Sequence, residues 1–249
     1  MAINTNTQKQ TSKNRSAEET KSFMEKAYNQ AEQELEKYLK KMNKTDKQIR
    51  ELMETANFAY QIEKTSKDYK SAERFIVIAV LSMLNNEDEW LEDLIDNFFD
   101  EMFEEIVEYF GYFVDNEEKQ KILNRKYEGK TYKQRIQSNM AKINNRTKKR
   151  LKIAYNKKNL YNIASWLTQR QKMSRKRARG ILISELSRIA NDIFIYCNRD
   201  KKFMYCSVLE ERTCGDCESM HGTIWNAEEA RDLIPQHNFC KCYFLVLNE

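Results

Sequence analysis

Proline occurs once in this 249-residue chain, glycine five times and histidine twice. Average usage would be roughly 5% proline and 7% glycine, so the sequence has little material for tight turns. The 33% charged fraction, rich in Glu, Lys and Arg, is the composition of long helices. The expected fold class is mainly α: a long-helix body, with any β structure confined to a small region. No apolar run approaches the roughly 20 residues that cross a bilayer. The opening MAINTNTQKQTSKNRS has no apolar signal core, so a soluble protein, made and kept in the cytoplasm, is expected. HExxH and HxE motifs, a glycine-rich phosphate loop and a nucleophile elbow are all missing. These absences point away from an enzyme, and the reading is of a non-catalytic protein without a small-molecule substrate.

Charge is plentiful, and it is segregated. Residues 87–118 hold fourteen Asp and Glu and no Lys or Arg, whereas residues 119–184 hold twenty-one Lys and Arg and one acid, Glu128. From Trp90 to Phe110 the apolar residues recur in steps of one and three, which keeps Leu91, Ile95, Phe99, Phe103 and Ile106 on one helical stripe. An acidic helix over 87–118 is expected, with its acids either solvated or docked on a basic partner, including the chain's own basic segment.

That basic segment reads as helices over 119–184, broken near Gly129 and around Asn156. Tyr127, Tyr132, Tyr155, Tyr161 and Trp166 are interleaved with its cations. Lys and Arg displace counterions from phosphates, while aromatics stack on bases or anchor helices. Packaged or cellular double-stranded DNA and acidic protein are therefore candidate partners, beside plain solvation.

Three parts are expected. Residues 1–16 are polar and form a flexible arm. Residues 17–198 form the helical body, opening with Ser16 as N-cap of a helix to about Lys41, followed by a second helix from Thr45 or Asp46. Ser174 is read as the N-cap of the body's last helix. Residues 199–249 form a small α+β module, with strand-like runs at 203–209, 223–225 and 243–247 and a short helix capped by Asn226 and stopped before Pro235.

About 50 residues is a size at which a fold needs a staple, and four of the six cysteines lie in the last 36 residues. Cytoplasmic thiols stay reduced, which favours a metal. Cys214 and Cys217 form a CxxC pair. Nineteen residues intervene before His237, which begins an HxxCxC run with Cys240 and Cys242. Structural Zn2+ takes four N or S ligands, usually as two pairs from separate loops. Five candidates compete for four places, in the order Cys217, Cys240, Cys214, His237, Cys242. His221 is a weaker sixth, and Cys197 and Cys206 read as small buried hydrophobes.

EERTCGDCESMHGTIW and IPQHNFCKCYF, following the helix ISELSRIAND, resemble the terminal signature of the MuF-like head-morphogenesis (minor head, or minor capsid) proteins of tailed bacteriophages. That signature runs Asp-x-Arg-Thr-Cys-Pro-x-Cys, then His-Gly or Asp-Gly, then Pro-Pro-x-His-Pro-x-Cys-Arg-Cys. The likeness covers residues 174–244. Gly215, Ile234 and Asn238 stand where prolines are usual, Lys241 where Arg is, and Glu210 or Glu211 where Asp is; none removes a ligand. The resemblance implies metal binding by Cys214, Cys217, His237, Cys240 and Cys242. It also implies a structural virion component at the portal or inner capsid, with portal and major capsid or scaffolding proteins as partners and a part in head assembly or DNA packaging and delivery. The rival expectations are a treble-clef, HNH-like metal-dependent nuclease using His221 or His237, and a zinc-ribbon DNA-binding protein.

Overall fold

A computed structural model describes residues 15–62, 69–156, 161–208 and 213–247, though not the side chains of 55–62, 69–77, 151–152, 154–156 and 161–165. Five helices come first: α1 (Ala17–Ile62), α2 (Tyr69–Phe110), α3 (Asn116–Leu123), α4 (Tyr132–Asn156) and α5 (Tyr161–Cys197). Then follow β1 (Lys202–Cys206), α6 (Gly215–Met220), β2 (Ile224–Asn226), α7 (Ala227–Ala230) and β3 (Tyr243–Leu247). The structure is mainly helical (73%), and the described residues form one small antiparallel sheet near the C-terminus, in the order β2-β1-β3.

α1 opens on a capping box. Ser16 Oγ accepts from the Glu19 N–H at 3.1 Å, and Glu19 accepts from the Ser16 N–H at 2.8 Å. Residues 1–14 of the expected arm lie outside the described residues, but Arg15 is anchored: it donates to Tyr109 O at 3.0 Å and lies over the Tyr109 ring.

The break expected between Lys41 and Thr45 does not occur. Leu35, Tyr38, Met42, Thr45, Ile49 and Met53 continue one buried stripe in steps of three and four. Thr45 spends its hydroxyl on Lys41 O at 3.2 Å, inside a single helix. Ser174 is likewise a buried interior residue of α5 and caps nothing. The acidic stretch is not one helix either. α2 stops at Phe110 because Gly111 turns left-handed (φ 67), with Tyr112 N–H donating to Val107 O and Gly111 N–H to Glu108 O. This pair of bonds is a Schellman stop, and Asp115 then caps α3. The breaks expected near Gly129 and Asn156 are found, with 157–160 outside the described residues.

The chain divides into two compact units, and not at Asn198. One comprises residues 1–30, 98–125 and 182–249; the other comprises 31–97 and 126–181. The terminal module thus belongs to a unit that also contains parts of α1, α2 and α5.

In that first unit Phe23 stacks on Tyr109 at 4.4 Å, and Phe110 meets Phe194 edge-on at 4.8 Å. Phe203 and Tyr205 of β1 pack against Phe244 of β3. Arg188, fully buried, donates to Glu185, Asp192 and the carbonyls of Ile122 and Leu123, so the end of α3 is tied to α5. In the second unit Arg170 is fully buried and is held by Glu87 at 2.9 Å and Asp46 at 2.6 Å.

The acids of α2 are answered largely by this chain's own polar and basic residues. In the second unit Glu87 meets Arg170, Asp88 meets Asn144, Glu92 meets Gln137, and Asp96 meets Tyr132 and Lys133. In the first unit Asp100 and Glu104 both hold Lys119.

Candidate metal centre

Local signals place each half of the cluster. Cys214 is the N-cap of α6: its Sγ accepts the Cys217 N–H at 3.4 Å. One helical turn therefore presents both thiols of the CxxC pair. The second half arrives after a cis Ile234–Pro235 bond and a turn in which the Cys240 N–H donates to His237 O. Phe239 holds a left-handed backbone (φ 69) between His237 and Cys240. Cys242 directly precedes β3.

Donor atoms of Cys214, Cys217 and His237 lie within 4.8 Å of one another, and so do those of Cys217, Cys240 and Cys242. All five side chains singled out from the sequence thus take part, and Cys217 belongs to both groups. His237 Nε2 is 3.0 Å from Cys214 Sγ and 3.3 Å from Cys217 Sγ. Its Nδ1, 2.8 Å from Asn238 O, is placed to donate there, which leaves Nε2 as the metal-facing nitrogen. Cys217, Cys240 and Cys242 are buried; Cys214 and His237 are half-buried.

His221 is in neither group: its Nδ1 accepts the Ser207 N–H at 3.2 Å and tethers the end of α6 to the chain after β1. Cys206 is buried in β1 and Cys197 half-buried at the end of α5, and neither joins the cluster.

The thiols are electrostatically unequal. The Cys217 N–H and the His237 ring hold the Cys214 thiol below its ordinary range, while burial pushes Cys217 up to about 12. Cys240 and Cys242 behave as a pair. A hydrogen bond from Cys242, helped by backbone N–H groups, drives Cys240 down to about 5, and Cys242 is driven up in turn. Burial opposes protonation of His237, but its bond to Asn238 O and the neighbouring Cys240 and Cys214 raise its pKa on balance. A buried thiolate at Cys240 is the kind of charge a cation would answer. Four sulfurs and one imidazole nitrogen form a soft-to-borderline donor set, with no carboxylate in either group among the described residues. The cluster can hold a metal ion.

The residues that position this loop were not evident from the sequence. Ser184, Ser187 and Asn191 recur at i, i+3 and i+7 along buried α5. Ser184 Oγ accepts the Phe239 N–H at 2.9 Å, and Ser187 Oγ donates to Cys242 O at 2.7 Å. Asn191 donates to Cys242 O and accepts the Phe244 N–H at 2.6 Å. Tyr28 donates to Lys241 O at 3.0 Å, and the Tyr205 hydroxyl lies 3.6 Å from Cys217 Sγ. Their one trace in the sequence is the recurrence of small polar residues at helical spacing within α5.

Against protein-family models, curated proteins and solved structures, the chain gives no match. Among the described residues, no helix is long and apolar enough to cross a membrane.

Proposed function

We propose that this chain is a structural, non-enzymatic minor head protein of a tailed bacteriophage, of the MuF-like kind, with zinc fixing its terminal module. Its partners are then the portal protein and the major capsid or scaffolding protein. Its place is the portal vertex or interior of the virion head, after assembly in the host cytoplasm.

The reading is carried by the meeting of the two halves of the motif: CxxC and HxxCxC are nineteen residues apart in sequence, yet their donors gather around Cys217. Zinc suits thiolate and imidazole donors in a tetrahedron, and five candidates exceed the four it needs. No coordination position then remains for a reactive water, which favours a closed structural site over a hydrolytic one. Of the two histidines that the nuclease alternative could use, His221 is engaged with Ser207 and His237 lies among the cysteine donors.

Quantitative mass spectrometry of purified virions, with asymmetric cryo-EM of the portal vertex, tests the proposal. A few copies per particle at or beneath the portal support it. Heads that lack the chain altogether overturn it.

A further inference from the structure

The second unit carries cations that its own acids leave unanswered. α4 contains no Asp or Glu, and neither does α5 from Tyr161 to Ile181. On the flank of α5 that meets α1, the arginines are paired: Arg175 with Glu36 at 3.2 Å and Arg179 with Glu32 at 2.5 Å. On the flank that meets α4 the situation is reversed. Arg146 reaches Met173 Sδ at 3.9 Å, and Arg177 donates to Asn139 O at 3.5 Å. These contacts place the two helices side by side there. Lys142, Arg146 and Lys149 line the α4 edge at i, i+4 and i+7, and Lys172, Lys176 and Arg177 belong to the facing stretch of α5. Arg177 is half-buried and the other five are exposed. None of the six has a carboxylate within ion-pair distance among the described residues.

The geometry points to this α4–α5 face as a binding surface for the phosphate backbone of double-stranded DNA, without base recognition. Lys142 to Lys149 spans about 10 Å of helix, over which a duplex presents roughly six backbone charges. Six unpaired cations match that density.

Among the described side chains, the aromatics interleaved with these cations are not offered for stacking on unpaired bases. Tyr132 and Trp166 are buried, and Tyr127 lies beneath the Arg135 guanidinium. A protein partner would need an apolar anchor in its contact, and Ile153 is the one large apolar side chain exposed on α4 among the described residues. The surface belongs to the other unit from the cysteine cluster, and the inference holds whether or not the chain is a virion component.

The test is fluorescence anisotropy of the full chain with random-sequence duplexes of about 20 base pairs, from about 50 to 200 mM salt. The expected result is micromolar binding indifferent to sequence, with log K falling against log salt at a slope of about −4 to −5. Lys142→Gln/Lys149→Gln/Lys176→Gln is expected to weaken binding roughly tenfold or more and to make the slope shallower by about 2 to 3. Lys21→Gln/Lys37→Gln/Lys47→Gln removes the same net charge from lysines that α1 glutamates pair with, and is expected to change little. Equal losses in the two triple variants, a flat salt dependence, or tighter binding of polyglutamate than of duplex overturns the inference.

Discussion

Asn191 uses one amide to hold both strands of chain around Cys242. It donates to Ser187 O and Cys242 O and accepts from Phe244 N–H, all in a buried setting. In Asn191→Ala, Phe244 N–H is left without its partner, at a cost of about 2–3 kcal/mol. The expected outcome is a lower melting temperature together with metal affinity reduced about 10- to 100-fold, read by competition with a chromophoric chelator. Unchanged affinity would show that α5 does not position the loop. The donors themselves were legible in the sequence, because Cys and His at paired short spacings have few other uses in a reduced compartment. Ser184, Ser187 and Asn191 were not, because their partners are main-chain groups more than fifty residues away. Asp88 is another residue whose state is set by its surroundings. It accepts from Asn144, stands near Glu87, Glu89 and Arg170, and is raised by burial to about 7. A carboxyl raised in the folded state takes its proton there before it does in the unfolded chain, so its contribution to stability falls as pH rises from about 4 to about 7. Asp88→Asn is expected to add about 1–2 kcal/mol at pH 8 and almost nothing at pH 4, measured by urea unfolding at both.

At the scale of elements, helix ends decided what could be read. Gly111 sits left-handed at the stop of α2, so Gly111→Ala is expected to cost about 1–2 kcal/mol. Gly215→Ala, where an added Cβ meets nothing within 4 Å, is expected to be tolerated; thermal melts of the two variants check the contrast. The strands and the Asn226 cap of the terminal module were legible because each signal was complete within a few residues, although β1 ends at Cys206 and α7 already at Ala230. The failures at Thr45 and Ser174 share a cause. A hydroxyl that can cap a helix can also be buried inside one, and only the apolar stripe on either side tells the two apart. The acidic run misled in a related way, since charge continues to Glu118 while the backbone stops at Gly111. α6 was missed because its cap is a cysteine, a residue already assigned to metal.

For the whole molecule, the first expectation concerns the metal. Purified under reducing conditions, the chain should hold about one equivalent of zinc by elemental analysis. Chelation should lower its unfolding midpoint and speed amide exchange across Phe203–Cys206 and Tyr243–Leu247. Less than about half an equivalent of zinc, together with a midpoint unmoved by Cys217→Ser, would refute a structural site. The discontinuous make-up of the two units has a further consequence, for synthesis on the ribosome. Every residue of the second unit has been polymerised before Leu182 is added, so that unit's sequence is complete while more than half of the first has yet to be made. The first unit must join residues such as Tyr28 and Lys241, 213 positions apart, which is a slow closure to search for. Until Lys241 emerges, the Tyr28 hydroxyl of α1 lacks the carbonyl it donates to. The cysteine loop and β3 are therefore the pieces on which closure of the first unit waits.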